Sequence, residues 1–456
     1  MAPVVDKLER VILGAAVLAV ALFAHRAYGQ PAQGPAAPPA EAAEPSPVPP
    51  DRAVPGAASE ASAAPAERVA ESAATSPAPA TAALPTALPP HSAKEAEAAP
   101  ATPLLPPGTH KAIDSWSKVS IGALWYLSGG LGESNGAGFG RARITRGYLT
   151  LKWKPVPWFQ PRVTLDTHQD EGGDWKLRLK YMYAKFVAPV ETALMSEPSV
   201  EFGLVHGPWF DYEEHINRYR MQGTMFIERN GVLNSADAGV SVAMLLGKKL
   251  SKAYQQSVSK EYPGEFGSIA FGVYNGGGYH AAENNKNKVF ESRASIRPLG
   301  PILPNLQLSY LLVYGKGNTP PQVCDENGAN CYPGEPAWRL HAGMASFEHE
   351  YFVATAQIAK GRGNQSGSKI DAGGAALTSE GYSGFAEIKL PWIDSSLVGR
   401  YDRWAWAGKG TDRVIAGFAY RFLGEGNVVL LDYDRAMPEG ASDSWEAKLT
   451  VQVKVP

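Results

Sequence analysis

Hydrophobic and polar side chains alternate along the segment from Trp175 to Val187, WKLRLKYMYAKFV. The first set is Trp175, Leu177, Leu179, Tyr181 and Tyr183, and the second is Lys176, Arg178, Lys180 and Met182. Successive side chains of a β-strand point to opposite faces, so the pattern predicts one apolar, aromatic face and one basic face. In a soluble sheet the apolar face would cover a core. In a transmembrane barrel it would meet lipid, and the basic face would line a water-filled lumen.

Sixteen such runs follow one another from residue 118 to the end of the chain. The predicted strands are Lys118–Leu127, Arg141–Lys154, Pro161–Gln169, Trp175–Val187, Ser199–His206, Gly239–Leu246, Gly267–Tyr274, Lys288–Arg297, Leu306–Gly315, Ala337–Phe347, Tyr351–Lys360, Tyr382–Leu390, Ser396–Trp404, Arg413–Phe422, Asn427–Asp434 and Trp445–Val455. A soluble two-sheet protein would show some of this alternation, but so many consecutive runs favour an all-β, antiparallel transmembrane barrel of about sixteen strands.

The connections between the runs support the barrel. Those after even-numbered runs are mostly short, whereas those after odd-numbered runs are mostly long and rich in Gly, Asn and Ser. Short periplasmic turns and long outer loops alternate in this way in outer-membrane barrels, and an even strand number places both ends on one side. The connection Gly247–Glu265 is too long for a periplasmic turn, and there we expect a hidden helix or a miscounted strand.

Aromatic residues are placed as the edges of a lipid-facing band require. Tryptophans lie near run ends or on outward faces, as interfacial girdles do. They are Trp125, Trp153, Trp175, Trp338 and Trp445. In the last run, apolar positions from Trp445 to Val455 alternate with polar ones from Glu446 to Lys454, which repeats the two-faced pattern.

The chain before the first run consists of two segments. Residues 1–29 read as a secretory signal, with Lys7 and Arg10 ahead of the apolar stretch Val11–Phe23 and small residues near Gly29. An uncleaved anchor is the alternative, although the stretch is short for a membrane helix. Residues 30–108 are dominated by Ala and Pro and contain no aromatic residue, so we expect a disordered periplasmic linker. The barrel domain then spans residues 109–456.

The loop from Gly207 to Ala238 is the third outer connection, and it is too apolar for a loop in water. Its large apolar residues include Trp209, Phe210 and Phe226. The available apolar surface is the inner wall of the barrel. We therefore expect the loop to fold inward, to narrow the lumen and to place Glu213, Arg218 or Arg220 at the constriction.

Several phrases of the sequence resemble the phosphate-selective porin family (porin O/P) of Gram-negative outer membranes. They are GRARITRGYLTLKWK (140–154), GLVHGPWFDYEEHINRYR (203–220), DAGVSV (237–242), FGVYNGGGY (271–279), VGRYDRW (398–404) and VIAGFAYRF (414–422). The resemblance implies a sixteen-stranded, trimeric, water-filled channel with a basic interior. The chain departs from the family in ending on Lys454-Val455-Pro456 without a terminal aromatic residue, and in its Pro/Ala-rich linker.

Basic residues concentrate on one predicted lumen wall. They are Lys152 and Lys154 on the second run, Arg162 on the third, and Lys176, Arg178 and Lys180 on the fourth. Lumen charges of one sign attract counter-ions and guide them through a channel. Asp166, His168, Glu387 and Asp402 also point inward, so a mixed-charge lumen, a mild anion preference and phosphate selectivity all stay open.

Other chemistry has little support in the sequence. Cys324 and Cys331 lie seven apart in a polar outer loop of an exported chain, which predicts a local disulfide. Asp211 to His215 suit loop salt bridges better than a metal, and no nucleophile elbow, phosphate-binding loop or zinc-spaced set is found. We expect no enzyme, cofactor, metal or nucleic-acid partner. The expected partners are outer-membrane lipid and small anionic or polar solutes. A periplasmic or cell-wall partner of residues 30–108, a barrel that anchors or sheathes an electron-transfer protein, and a barrel hydrolase are alternatives.

Overall fold

A computed structural model describes residues 118–169, 173–325, 328, 331–424 and 426–455. The predicted signal segment and linker lie outside these residues. Within the described chain, no helix is both long enough and apolar enough to cross a membrane.

Sixteen of the strands form one closed antiparallel barrel, as the sequence predicts. They are β1 (Val119–Ser134), β2 (Ala137–Trp153), β3 (Arg162–Gln169), β4 (Trp175–Val187), β5 (Met195–His206), β6 (Ala236–Leu246), β7 (Gly267–Tyr274), β8 (Val289–Ile296), β9 (Leu306–Lys316), β12 (Ala337–Glu348), β13 (Phe352–Arg362), β14 (Thr378–Leu390), β15 (Ser395–Trp406), β16 (Lys409–Arg421), β17 (Val428–Pro438) and β18 (Ser444–Val455). The short strands β10 (Gln322–Cys324) and β11 (Cys331–Pro333) pair with each other in the connection between β9 and β12.

The barrel closes where β1 pairs with β18, from Ala123 opposite Val455 to Glu133 opposite Trp445. Closure leaves no unpaired sheet edge, and a membrane demands this because hydrocarbon offers the backbone no hydrogen-bonding partner. The predicted alternation holds along β18, where Leu449 is 47% exposed on the outside while its inward neighbours are buried.

A β-bulge interrupts the alternation of β4. The pairing with β3 passes through Leu179 and then through Tyr181, which leaves Lys180 as an extra residue. Beyond the bulge the faces exchange, so Tyr181 and Tyr183 are buried inside the barrel while Met182 is 56% exposed outside. The prediction that both tyrosines share the lipid-facing side with Leu179 is therefore wrong.

Trp338 also departs from the predicted aromatic girdle. It is fully buried inside the barrel, because β12 begins at Ala337 with an outward position and the next residue points inward. Trp175, by contrast, is 48% exposed on the outer surface, where the girdle prediction places it.

Among the described residues, the connections contain three short α-helices, three 3₁₀ helices of three residues each and two unexpected tight turns. Helices α1 (Phe210–Ile216) and α2 (Phe226–Arg229) lie between β5 and β6. Helix α3 (Lys252–Ser257) lies between β6 and β7, so the long connection there hides a helix. Two connections predicted to be long are two-residue turns, because their strands extend further than expected. Both Asn135 and Gly136 have positive φ, as hairpin turns of this type require, and a second such turn joins β15 to β16.

Gly203 of β5 offers a test of the register beside the bulge. Its φ is +129°, and a Cβ atom added there would lie 2.3 Å from the carbonyl oxygen of Met182. We expect Gly203→Ala to destabilise the barrel by about 1–3 kcal/mol, measured as a lower temperature for loss of the heat-modifiable folded band. Gly384→Ala is the control, because a Cβ atom there meets nothing within 4 Å. Equal melting of both variants would contradict the register.

Candidate functional site

Residues 207–235, here called the constriction loop, fold into the barrel. Their apolar side chains pack against the inward faces of β9 and β12–β17 in one buried cluster. The loop contributes Trp209, Phe210, Tyr212, Ile216, Tyr219, Met221, Met225, Phe226, Ile227, Val232 and Leu233, and these strands contribute Leu311, Val313, Trp338, Leu340, Ala342, Met344, Val353, Ala359, Phe385, Val398, Trp404, Ala419, Val428 and Leu430. Tyr126 of β1 and Val289 of β8 complete the cluster. The predicted inward course of the loop is confirmed.

Hydrogen bonds tie the loop to the same wall along its length. The Tyr212 hydroxyl pairs with Ser309 at 3.0 Å, and the Tyr219 hydroxyl donates to Glu387 at 2.7 Å. Arg229 reaches Asp402 at 3.3 Å. Buried polar groups are costly when unpaired, so these bonds fix where each part of the loop lies.

Glu213 is one of these anchors and does not line the lumen. Its carboxylate accepts hydrogen bonds from Gln357 at 2.6 Å and from the indole N–H of Trp209 at 2.9 Å. Burial raises the pKa of Glu213. The sequence placed this residue at the constriction, whereas the α-helical turn points it at the wall.

The loop leaves the opposite side of the barrel open. One cavity of about 370 Å³ lies between the loop and the wall built from β1–β4 and β18. A second, of about 550 Å³, adjoins it and shares Lys152, Arg162, His206 and Asp211 with the first. These two spaces form the candidate solute path.

Three of the six predicted basic wall residues border the first cavity, and Lys154 borders only the second. Lys152, Arg162 and Lys180 line the first cavity together with Lys454. Lys152 is exposed, and within the described chain it makes no ion pair. The structure therefore brings a cluster of cations to the open side of the lumen.

Arg162 and Lys180 are held by aromatic and hydroxyl groups. The Arg162 guanidinium lies 4.8 Å from the ring centre of Tyr181 and bonds Thr164 at 3.0 Å. Lys180 reaches the Tyr148 hydroxyl at 3.3 Å and is 4% exposed. Such cation–π contacts position the charges without neutralising them.

Lys176 and Arg178 lie apart from the cavity that Lys180 borders. Arg178 pairs with the buried Asp166 at 2.8 Å, and this carboxylate largely neutralises its charge. The guanidinium group of Arg178 also stacks over the ring of Tyr279. Lys176 is opposite His168 near the strand end, and neither basic residue borders the two cavities.

The loop brings acidic groups to the cations. Asp211 and Glu214 border the first cavity, and Arg220 lies beside them, ion-paired with Glu214 and with Glu228. Burial would raise the pKa of Asp211, but His206, His215 and the Tyr262 hydroxyl hold that pKa well below its usual range. The acid therefore stays ionised at neutral pH.

The remaining predicted residues take separate positions. Arg218 is exposed and borders neither cavity, with its Nε 3.5 Å from the His215 carbonyl oxygen. Cys324 and Cys331 are joined by a disulfide across the β10–β11 hairpin. No group of three or more potential metal ligands occurs in the part of the chain that the structure describes.

Sequence reasoning missed Tyr148, Lys454, His206, Asp211 and Glu214 as lining residues. Lys454 could have been found, because the alternation of the last run places it opposite the outward Val453 and Val455. Asp211 and Glu214 could not, because only the docked loop determines which face of α1 meets the lumen.

No protein-family model matches this chain, and no curated protein sequence matches it either. The chain is similar in fold to several solved structures. OmpT of Vibrio cholerae, an outer membrane protein in its trimer form, is 9% identical over 74% of this chain and 99% of its own, with a TM-score of 0.48. OmpF of Salmonella typhi, in complex with daunomycin, is 10% identical over 74% and 97%, also with a TM-score of 0.48. The outer membrane channel DcaP of Acinetobacter baumannii is 9% identical over 75% and 99%, with a TM-score of 0.43. At these values nothing about solutes or subunits follows for this chain.

Asp402 tests the anchoring of the constriction loop. It holds Arg400 at 2.9 Å and Arg229 at 3.3 Å, and all three side chains are buried. Asp402→Asn leaves two buried guanidinium groups without this carboxylate, so we expect a loss of about 3–5 kcal/mol in the free energy of unfolding, measured by urea titration in detergent micelles.

The control for that experiment is Asp412→Asn on the outer surface. Asp412 pairs with Arg403, and both side chains are partly exposed, so the change should cost about 1 kcal/mol or less. Similar losses in the two variants would show that Asp402 is not a buried anchor.

Proposed function

We propose that the chain forms a water-filled diffusion channel in a Gram-negative outer membrane, and that this channel prefers small anions. The observation that carries the proposal is the open space between the constriction loop and the basic wall. A closed barrel with an apolar outer surface and an inner path bordered by charges is suited to passive movement of hydrophilic solutes.

The charge balance around the first cavity favours anions. Lys152, Arg162, Lys180 and Lys454 border it without a carboxylate bonded directly to any of them among the described residues. The acids on the loop side are Asp211 and Glu214, and Glu214 is already paired with Arg220. Because lumen walls of low dielectric focus the field, an excess of cations raises the local anion concentration.

Residues at one end of the barrel extend this field. Lys118 and Lys154 border the second cavity near the ends of β1 and β2, on the side where the C-terminal strand also ends. At physiological ionic strength the screening length is about 8 Å, so charges this close act on a passing anion together. Glu201, Asp211 and Glu261 also border this cavity, so an anion at this end meets carboxylates together with the basic residues.

Phosphate is one solute that such a path would accept. The supporting features are the resemblance to phosphate-selective porins and the hydroxyl groups of Tyr148, Thr150 and Thr164 beside the cations. Guanidinium and ammonium groups bind phosphate oxygens through charge-assisted hydrogen bonds. The same resemblance is the basis for proposing a homotrimer, and the leader and linker composition for proposing that residues 30–108 lie in the periplasm.

Charge reversal at Lys152 and Lys454 tests the selectivity. In the Lys152→Glu, Lys454→Glu variant we expect the reversal potential in a potassium chloride gradient to move toward cation preference, and to move further at low salt because screening weakens. The measurement is a planar-bilayer recording of the purified full chain. Lys176→Glu is the control and should produce a smaller shift, because Lys176 borders neither cavity.

If the double variant conducts with an unchanged reversal potential, this wall does not select anions. If the wild-type barrel gives no current, the protein is not a channel. That result would favour a role as an anchor or sheath for a periplasmic or electron-transfer partner.

The orientation of the barrel in the outer membrane can be tested at Gly328, which lies between the two cysteines. Its φ is +66° and an added Cβ atom meets nothing within 4 Å, so an inserted epitope should be tolerated. We expect antibody labelling of intact cells. A tag at Glu350, in the turn between β12 and β13 at the other barrel end, should be labelled only after the outer membrane is broken. The reverse result would invert the proposed orientation.

A further inference from the structure

A cluster of basic and titratable residues lies on the outside of the barrel where β12 pairs with β13. The outward positions of β7 are Ile269, Phe271 and Val273, as lipid contact requires. On β12 and β13 the outward positions nearest the long-loop end are instead basic or titratable. These four residues, here called the basic ladder, are Arg339, His341, Lys360 and Arg362.

The register stacks the ladder in two rungs. Arg339 lies directly opposite Arg362, and His341 lies opposite Lys360. Facing residues of an antiparallel pair have Cβ atoms about 4.5–5.5 Å apart, and like charges in that arrangement destabilise the sheet. An anion bound between these facing residues would relieve the repulsion.

The chain itself supplies little negative charge to the ladder. Arg339 bonds the Tyr314 hydroxyl at 3.4 Å, and the side chain of Arg362 makes no hydrogen bond or ion pair within the described chain. Lys360 is 3.9 Å from Glu380, and their side chains are 83% and 67% exposed. One distant, solvent-screened carboxylate leaves the ladder strongly cationic.

The position of the ladder near the strand ends suits contact with a lipid headgroup. β12 begins at Ala337 and β13 ends at Arg362, so both rungs lie within about 15 Å of the strand ends at roughly 3.4 Å per residue. Further along the same surface, Ile358 is 69% exposed and faces the apolar region. The surface therefore has a charged part near the strand ends and an apolar part further along the strands. A lipid has the same order of groups, with a charged headgroup followed by acyl chains.

A shallow depression continues from the ladder. It has a volume of about 520 Å³ and is bordered by Tyr310, His341, Ile358, Lys360 and Tyr382. The Tyr310 hydroxyl is 2.6 Å from Nδ1 of His341, which holds one wall of the depression in place. Tyrosine rings at a membrane interface offer an apolar body and a polar tip.

We propose that the basic ladder binds the phosphate group of an anionic membrane lipid, with an acyl chain lying across Ile358 and Tyr382. Arg339 and Arg362 would hold phosphate oxygens through paired N–H donors, and Lys360 would add a point charge. Charge complementarity commits the surface to an anionic lipid, because the cationic ladder lies beside the apolar Ile358 and Tyr382, and a phosphate group with an acyl chain matches both. The site goes beyond solute passage and is separate from the lumen.

The test measures lipid binding to the full chain by native mass spectrometry in a neutral detergent. The probes are dioleoyl phosphatidic acid and dioleoylglycerol, which share acyl chains and differ in the phosphate. We expect the phosphate-bearing lipid to bind at least tenfold more tightly. Arg339→Gln with Arg362→Gln should weaken it by roughly tenfold or more per arginine, because a hydrogen bond to a charged group contributes about 1.5–3 kcal/mol.

Arg435→Gln is the matched control, since Arg435 is also outward-facing but pairs with Asp443 at 2.6 Å. It should bind the lipid as the wild type does, and all variants should keep the wild-type conductance. Arg362→Gln alone keeps the test decisive if the double variant does not fold, because Arg362 has no partner whose loss could unfold the barrel.

Three results would overturn the proposal. They are equal affinity for the two lipids, unchanged lipid binding in Arg362→Gln, and full displacement by inorganic phosphate at matched phosphate concentration, which would identify a free anion as the ligand. A change of oligomer mass in the variants with unchanged lipid binding would assign the sector to contact between copies.

Discussion

The contact between the constriction loop and one half of the barrel's inner wall determines the rest of the interior. Its apolar cluster requires apolar side chains at the inward positions of β9 and β12, such as Leu311 and Leu340. Water is thereby excluded from that half, and the solute path is confined to the other. The charged residues that border the open path include Lys152 of β2, Arg162 of β3 and Lys454 of β18, together with Asp211 and Glu214 of α1.

This division explains why the lumen has two electrostatic environments. On the loop side of the barrel, charges such as Arg229 and Asp402 are buried and paired, and they serve the anchoring of the loop. On the open side, Lys152 and Lys454 border the cavity unpaired within the described chain. The whole-chain count of 43 basic and 45 acidic residues is close to balanced and does not distinguish the two groups.

The sequence was sufficient for the strands and for the inward loop, because both depend on local signals. The bounds of β4 and β7 follow from the two-residue period of apolar and polar side chains. The inward course of the loop follows from its apolar residues, such as Trp209 and Phe226. The bulge at Lys180 has no such signal, since an extra residue in one strand is defined by its neighbour. For the same reason the separate roles of Arg178 and Lys180 depend on Asp166 of another strand and could not be read from their spacing.

The anchors of the constriction loop also bear on the order in which the barrel is assembled. The ammonium group of Lys448 donates to the carbonyl oxygen of Gln222 across 226 positions of sequence, and Arg421 reaches Tyr219 across 202. Contacts this distant cannot form until the last strands have joined the sheet, and their loop-closure cost makes them slow. The loop therefore docks late. Until β16–β18 have joined the sheet, the apolar interior of the barrel is exposed, and the chain depends on chaperones to keep it from aggregating.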